Sequence, residues 1–236
     1  MSQPVVFGYQ TALQIVRSLG IERLSECAVE GLPSTAPNRM QLLEAVETLV
    51  SLRPDLHPTY PLHYLIDDGA RPRATKFSQP HSCSKPLPAH ALLTVADGIY
   101  AAAPPLAFVQ ENCRRDFYDS IELGDELCGS FQSSRCGLPA LYNIPSLVST
   151  EELRTFAACN QNIHGARKAL QALTYVADGS ASARESKLAL VLGLPTSRGG
   201  GGLGIPCFNH EVVSSPTAYA MTGKHTLRCD LHYSGT

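Results

Sequence analysis

The stretch Leu92–Gln110, LLTVADGIYAAAPPLAFVQ, holds two kinds of periodicity side by side. Two apolar runs, 92–96 and 99–102, flank Asp97-Gly98, a dipeptide whose glycine tolerates the positive φ of a tight hairpin turn. Pro104-Pro105 then opens a segment in which Leu106, Val109, Cys113 and Phe117 recur at helical spacing. Proline suits a first helical turn, because the N–H it lacks would have no partner there. The stretch predicts a hairpin running straight into a helix, and with it a chain of mixed α and β structure (α+β, mixed α/β).

Upstream, nine of the 17 prolines fall between Pro54 and Pro105, which favours extended segments and turns over helix. The remaining strands expected there are Leu62–Ile66 and Ala74–Gln79. The first fifty residues read as helical. Thr11 is placed to cap Ala12–Leu19, which Gly20 ends, and a second helix follows Pro37 with Met40, Leu43, Val46, Leu49 and Val50 on one face. The N-terminus is therefore helical with a small β-sheet.

Downstream, Ile121–Cys128 continues the helical pattern until Gly129, and 130–146 reads as a loop. Ser149-x-x-Glu152 is a capping box, Ala166–Ala177 is a helix with Leu170, Leu173, Val176 and Ala177 on one face, and Ser182-x-x-Glu185 opens another helix running to about Leu194. Short strands are expected at Phe208–Val213 and Thr226–Tyr233. The domain division expected is 1–178 and 179–236.

Charge and hydropathy exclude several classes. With 19 Lys and Arg against 21 Asp and Glu the chain cannot present a general polyanion-binding surface, although a local basic patch remains open. The longest apolar stretches, around 100–109 and 188–194, are broken by Pro or Gly and fall far short of the ~18 residues of a membrane span. No Lys or Arg precedes Arg17, so a secretory signal is not expected. The chain reads as soluble and cytoplasmic, without a membrane partner, and its 8 cysteines as mostly reduced thiols.

Each candidate chemistry has a plainer rival. The run Gly199–Gly204 resembles a phosphate cradle, but no Gly-Lys-Ser/Thr ending follows and no strand precedes it, so it reads as a flexible connector. Cys207-x-x-His210 and Cys229-x-x-His232 together supply a zinc-type donor set. Both sit in expected strands, where residues three apart point to opposite faces, so no zinc is expected. Arg71, Arg73 and Lys76 form a compact basic stretch suited to phosphate contacts with DNA, or simply to a solvated loop. No nucleophile elbow of the G-x-S-x-G type occurs. Glu185 on a first helical turn and Asp230 in a strand can share a Mg²⁺, which takes oxygen ligands, but the capping box already accounts for Glu185.

Six segments, colinear and covering most of the chain, carry a resemblance: FGYQTALQIVRS (7–18), VADGIYAAAPPLAFVQ (95–110), IELGDELCGSF (121–131), KALQALTYVADGSASARESKLALVLGLP (168–195), GLGIPCFNHEV (202–212) and LRCDLHY (227–233). Their order resembles a bacterial group with an AbiEi antitoxin-like front half and a C-terminal very-short-patch-repair-like endonuclease domain of the PD-(D/E)XK, restriction-endonuclease-like superfamily. The resemblance implies Glu185 and Asp230 as catalytic Mg²⁺ ligands for hydrolysis of DNA phosphodiesters. In the family a serine precedes the proline that opens the helix after the hairpin; here Ala103 stands there. In the family an acidic strand of the type V-E-Y-D and a basic helix also follow the segment like LRCDLHY. This sequence stops at Thr236, so the expectation is a truncated, incomplete nuclease core, inactive as it stands. The rival expectation is an antitoxin-type DNA- or protein-binding regulator. Partners implied are DNA, a protein toxin, or a second copy through the C-terminal edge strand.

Overall fold

The computed structural model describes residues 3–27, 31–69, 72–134 and 140–233. The fold is mixed α/β. The chain divides into two compact units that alternate along the sequence. The first takes residues 1–115, 134–139 and 151–170; the second takes 116–133, 140–150 and 171–236.

The first unit is built on a six-stranded sheet, order β2-β5-β6-β1-β3-β4. Its strands are β1 (Val5–Phe7), β2 (Ser25–Glu26), β3 (Leu62–Asp67), β4 (Ser78–Cys83), β5 (Leu92–Ala96) and β6 (Ile99–Ala102). β5 and β6 form the hairpin around Asp97-Gly98, with Gly98 at φ 69°. β1 runs parallel to β6 and antiparallel to β3, and β3 runs parallel to β4. Helices α1 (Tyr9–Leu19) and α3 (Pro104–Asn112) pack on each other and on this sheet. Phe7, Leu13, Ile15, Leu65, Leu106 and Phe108 are fully buried among them. α2 (Arg39–Leu52) is closed by a reciprocal box between Asn38 and Gln41.

Several expectations shift. β4 lies at Ser78–Cys83 rather than 74–79, and includes Pro80. As the last strand it bonds to β3 alone, so the missing N–H of Pro80 breaks no second ladder. α1 starts at Tyr9 behind Gly8, and the Thr11 hydroxyl accepts from the His63 N–H instead of capping. Of the face read in the sequence, α2 buries Leu49, leaves Leu43, Val46 and Val50 half-buried and Met40 exposed, and buries Leu42 and Ala45 instead. The helix opened by Pro104 stops at Asn112, and Asp116 caps a new helix, α4 (Phe117–Cys128). As the substitution of Ala103 implies, α3 has no side-chain cap.

In the second unit α4 packs on α7 (Ala183–Gly193), and α7 packs on β10. β9 (Cys207–Val213) and β10 (Thr226–His232) form an antiparallel pair joined through a short helix, α8 (Pro216–Thr222). The segment read as loop carries a two-residue strand pair, β7 (Phe131–Gln132) with β8 (Leu141–Tyr142). α5 (Thr150–Cys159) belongs to the first unit from Glu151 on, and α6 (Ala166–Leu173), divided at 170/171, is shorter than the helix expected to Ala177. α7 buries Ser186, Ala189, Leu190 and Gly193, whereas Leu188 and Val191 are 49% and 62% exposed.

The glycine run is not a loose connector. The N–H groups of Gly201, Gly202, Leu203 and Gly204 donate to the carbonyls of Val191, Leu194, Leu192 and Gly193, satisfying the orphan acceptors at the end of α7. A Cβ on Gly200 would lie 2.1 Å from the Leu194 carbonyl oxygen, so that position requires glycine.

Candidate functional site

The acidic pair implied by the resemblance sits on α7 and β10. Ser182 starts α7, and its hydroxyl accepts from the Glu185 N–H at 3.2 Å. The Glu185 carboxylate turns back on the same helix end: Oε2 accepts from Ala181 N at 2.9 Å and Oε1 from the Ser182 hydroxyl at 3.2 Å. Asn209 Nδ2 adds a 3.5 Å contact to Oε2. Asp230 is exposed on β10. Among the described residues no three His, Cys, Asp or Glu side chains are grouped to hold a metal ion.

A buried carboxyl lies close by in the same unit. Asp125 on α4 is 1% exposed, and its Oδ1 accepts from Ala177 N at 3.2 Å. Burial raises its pKa to about 7, against the opposing hydrogen bonds from Ala177 and Ser186.

Across the strand pair, Cys207 lies opposite His232 and His210 opposite Cys229, and the two imidazoles stack at 4.4 Å. Each cysteine therefore faces the histidine of the other Cys-x-x-His element, an exchange of partners that spacing along one strand does not reveal.

Of the basic stretch, Arg71 lies outside the described residues. Arg73 and Lys76 are exposed on the connection between β3 and β4. That connection is held by Thr75, whose hydroxyl accepts from Phe77 N and Ser78 N. Arg39 on α2 lies 5.3 Å from the centre of the Phe77 ring, which also stacks on Tyr60. The fold thus adds a third cation that the sequence reading missed, from a helix more than thirty residues away.

A second cluster went unnoticed in the sequence. His63 and His81 stand on the parallel strands β3 and β4, with His63 Nδ1 2.8 Å from His81 Nε2. Tyr9 stacks on His81 with ring centres 3.6 Å apart. Tyr9 has φ 53°, and Gln110 Oε1 accepts from its N–H at 2.9 Å. Gly8 N donates to the His63 carbonyl, and a Cβ on Gly8 would lie 2.6 Å from Leu65, so glycine lets the turn approach β3. Arg114 Nη1 reaches the His63 ring, 3.3 Å from Nδ1. Burial, reinforced by Arg114, lowers the pKa of His63 to about 4; burial, then His63 and Arg114, lower that of His81 to about 3. Both imidazoles are neutral at pH 7. The available signal was His63 and His81 in extended, partly apolar segments; what joined them was a strand pairing hidden by Pro80.

No family model matches the chain, and no curated protein and no solved structure matches it either. Among the described residues no helix is long and apolar enough to cross a membrane.

Proposed function

We propose that this chain is a catalytically silent relative of the very-short-patch-repair type of DNA endonuclease, with an AbiEi-like front half, and that it acts as an antitoxin-type DNA-binding protein of the cytoplasm. The observation that carries this reading is Glu185. Its two carboxylate oxygens are engaged by the Ala181 N–H and the Ser182 hydroxyl at the N-terminus of α7, so recruiting them to Mg²⁺ would cost both of these hydrogen bonds. Hydrolysis of a phosphodiester needs several carboxylates around the ion and a group that positions water. Among the described residues no third His, Cys, Asp or Glu is grouped with Glu185 and Asp230.

Charge favours the first unit as the DNA-binding part. It holds 14 Lys and Arg against 12 Asp and Glu, whereas the second holds 5 against 9. In this reading the exposed Arg39, Arg73 and Lys76 supply the phosphate contacts, which position a protein on a duplex without reading its bases.

The test uses the purified chain with supercoiled plasmid in Mg²⁺ or Mn²⁺, and a salt titration of duplex binding. The expected result is no metal-dependent nicking, with salt-sensitive binding whose log–log slope falls by about 1 in Arg73→Gln and in Lys76→Gln. Mg²⁺-dependent nicking that disappears in Asp230→Ala would overturn the silent reading. Absence of binding at low salt would overturn the DNA-binding one.

A further inference from the structure

We propose that Arg114, His63, His81 and Tyr9 form a binding site for a phosphate-type oxyanion, a free phosphate or a small phosphomonoester. The site is separate from the surface of Arg39, Arg73 and Lys76, and it does not rest on the DNA-binding reading.

Arg114 is exposed, and among the described residues it hydrogen-bonds only to the His63 ring. Among the described residues no carboxylate is in ion-pair distance of it; the neighbouring Glu111 is bound to Arg115 at 3.0 Å. A guanidinium offers five N–H donors in a planar fork, and one imidazole leaves most of that fork for another acceptor. Two neutral imidazoles carry one N–H each. Their 2.8 Å contact uses one of these, so one imidazole N–H remains to donate, whichever tautomer each ring adopts.

The surroundings favour an anion over a metal ion. The thiols of Cys83 and Cys113 and the phenol of Tyr9 are all pushed by burial toward their protonated forms. Glu111, the carboxylate beside them, is neutralised by Arg115. Asp67 and Asp68 also act on Cys83, but no described carboxylate lies in ion-pair distance of Arg114, so its guanidinium is left to attract an oxyanion. Tyr9 is held in a left-handed backbone conformation by contacts at Gly8 and Gln110, the over-determined strain that gathers at ligand sites. Next to Tyr9 is a cavity of about 160 Å³ whose wall includes Ser84, Lys85, Asn162 and His164. It adjoins the cluster through Tyr9, and Lys85 in its wall supplies a second cation.

The experiment follows the imidazole Cε1–H resonances of His63 and His81 during titration at constant ionic strength. Inorganic phosphate, AMP as a monoester, and a short DNA duplex as a diester are added in separate arms. The expected result is a saturable shift of both resonances with phosphate and with AMP, weakened about tenfold or more in Arg114→Gln and unchanged in Lys224→Gln. Tighter binding of AMP than of phosphate identifies a monoester as the ligand, and equal binding identifies the free ion. No saturable shift, or shifts that survive Arg114→Gln, would overturn the proposal. Saturation of the same resonances by the duplex more tightly than by AMP would overturn it too, because the cluster would then belong to the DNA surface.

Discussion

Replacing Asp125 by Asn is expected to remove this carboxyl's share of the second unit's loss of stability as pH rises. The folded carboxyl ionises at about 7 against 3.8 when unperturbed. Its raised pKa means that its contribution to stability is fully present below about pH 4 and is lost as pH rises through 7. Moving the ionisation that far corresponds to roughly 4 kcal/mol, at ~1.4 kcal/mol per pH unit. Solvent screening removes little of this, because Asp125 is 1% exposed. Asn keeps a carbonyl oxygen for the Ala177 N–H and cannot ionise. At pH 4 the variant should match the parent or fall slightly below it; at pH 8.5 it should be the more stable by up to roughly 4 kcal/mol. The assay is amide hydrogen exchange in α4 and α7 of both proteins at the two pH values, which reads the second unit directly. Other titrating groups cancel in the difference between the proteins. A difference that stays within ~0.5 kcal/mol across the pH range would show that the Asp125 carboxyl is not held protonated, and the burial argument would fail.

The imidazole pair should give the first unit the opposite slope. With both pKa values depressed, stability is present above about pH 6.5 and is lost as pH falls toward 4 and 3, so amides of α1 and β3 should exchange faster in acid. His81→Phe, which keeps a ring against Tyr9, should make that acid limb shallower; an unchanged limb would remove His81 as its source. Gly200→Ala should cost about 1–3 kcal/mol in urea unfolding, because its Cβ meets the Leu194 carbonyl at 2.1 Å. Gly199→Ala faces open space at φ 80° and should cost only about 1 kcal/mol of backbone strain. Equal, negligible losses at both positions would mean that the run does not pack on α7.

What the sequence revealed was local. Asp97-Gly98 between two apolar runs located β5 and β6 to the residue, and Ser182 with Glu185 located the start of α7. Pro80 hid β4, because proline argues against a strand until it is known to be an edge strand. α2 shows a subtler failure: of Met40, Leu43, Val46, Leu49 and Val50 only Leu49 is fully buried, and Leu42 and Ala45 join it in the core. The His63–His81 contact depends on a parallel pairing that brings the two strands into register, and no spacing rule reports that. Glu185 was legible as a cap and as a candidate metal ligand alike; the geometry of Ala181 and Ser182 around its carboxylate favours the cap.

The alternation of the two units along the chain sets an order of events during synthesis. The ribosome releases α4 and the β7 strand before most of their own unit exists, since α7, β9 and β10 are still to be translated. The six strands of the first unit are all out by Ala102, so the sheet can collapse early, yet α5 and the start of α6 must arrive before that unit is finished. Ile121, Leu123 and Leu127, buried in the final structure, pass through an interval as bare apolar surface. Such an interval invites chaperone capture or aggregation of nascent chains. Fragments cut at a single point inherit the same difficulty, because any one cut between 116 and 170 leaves one half holding orphaned pieces of the other's core.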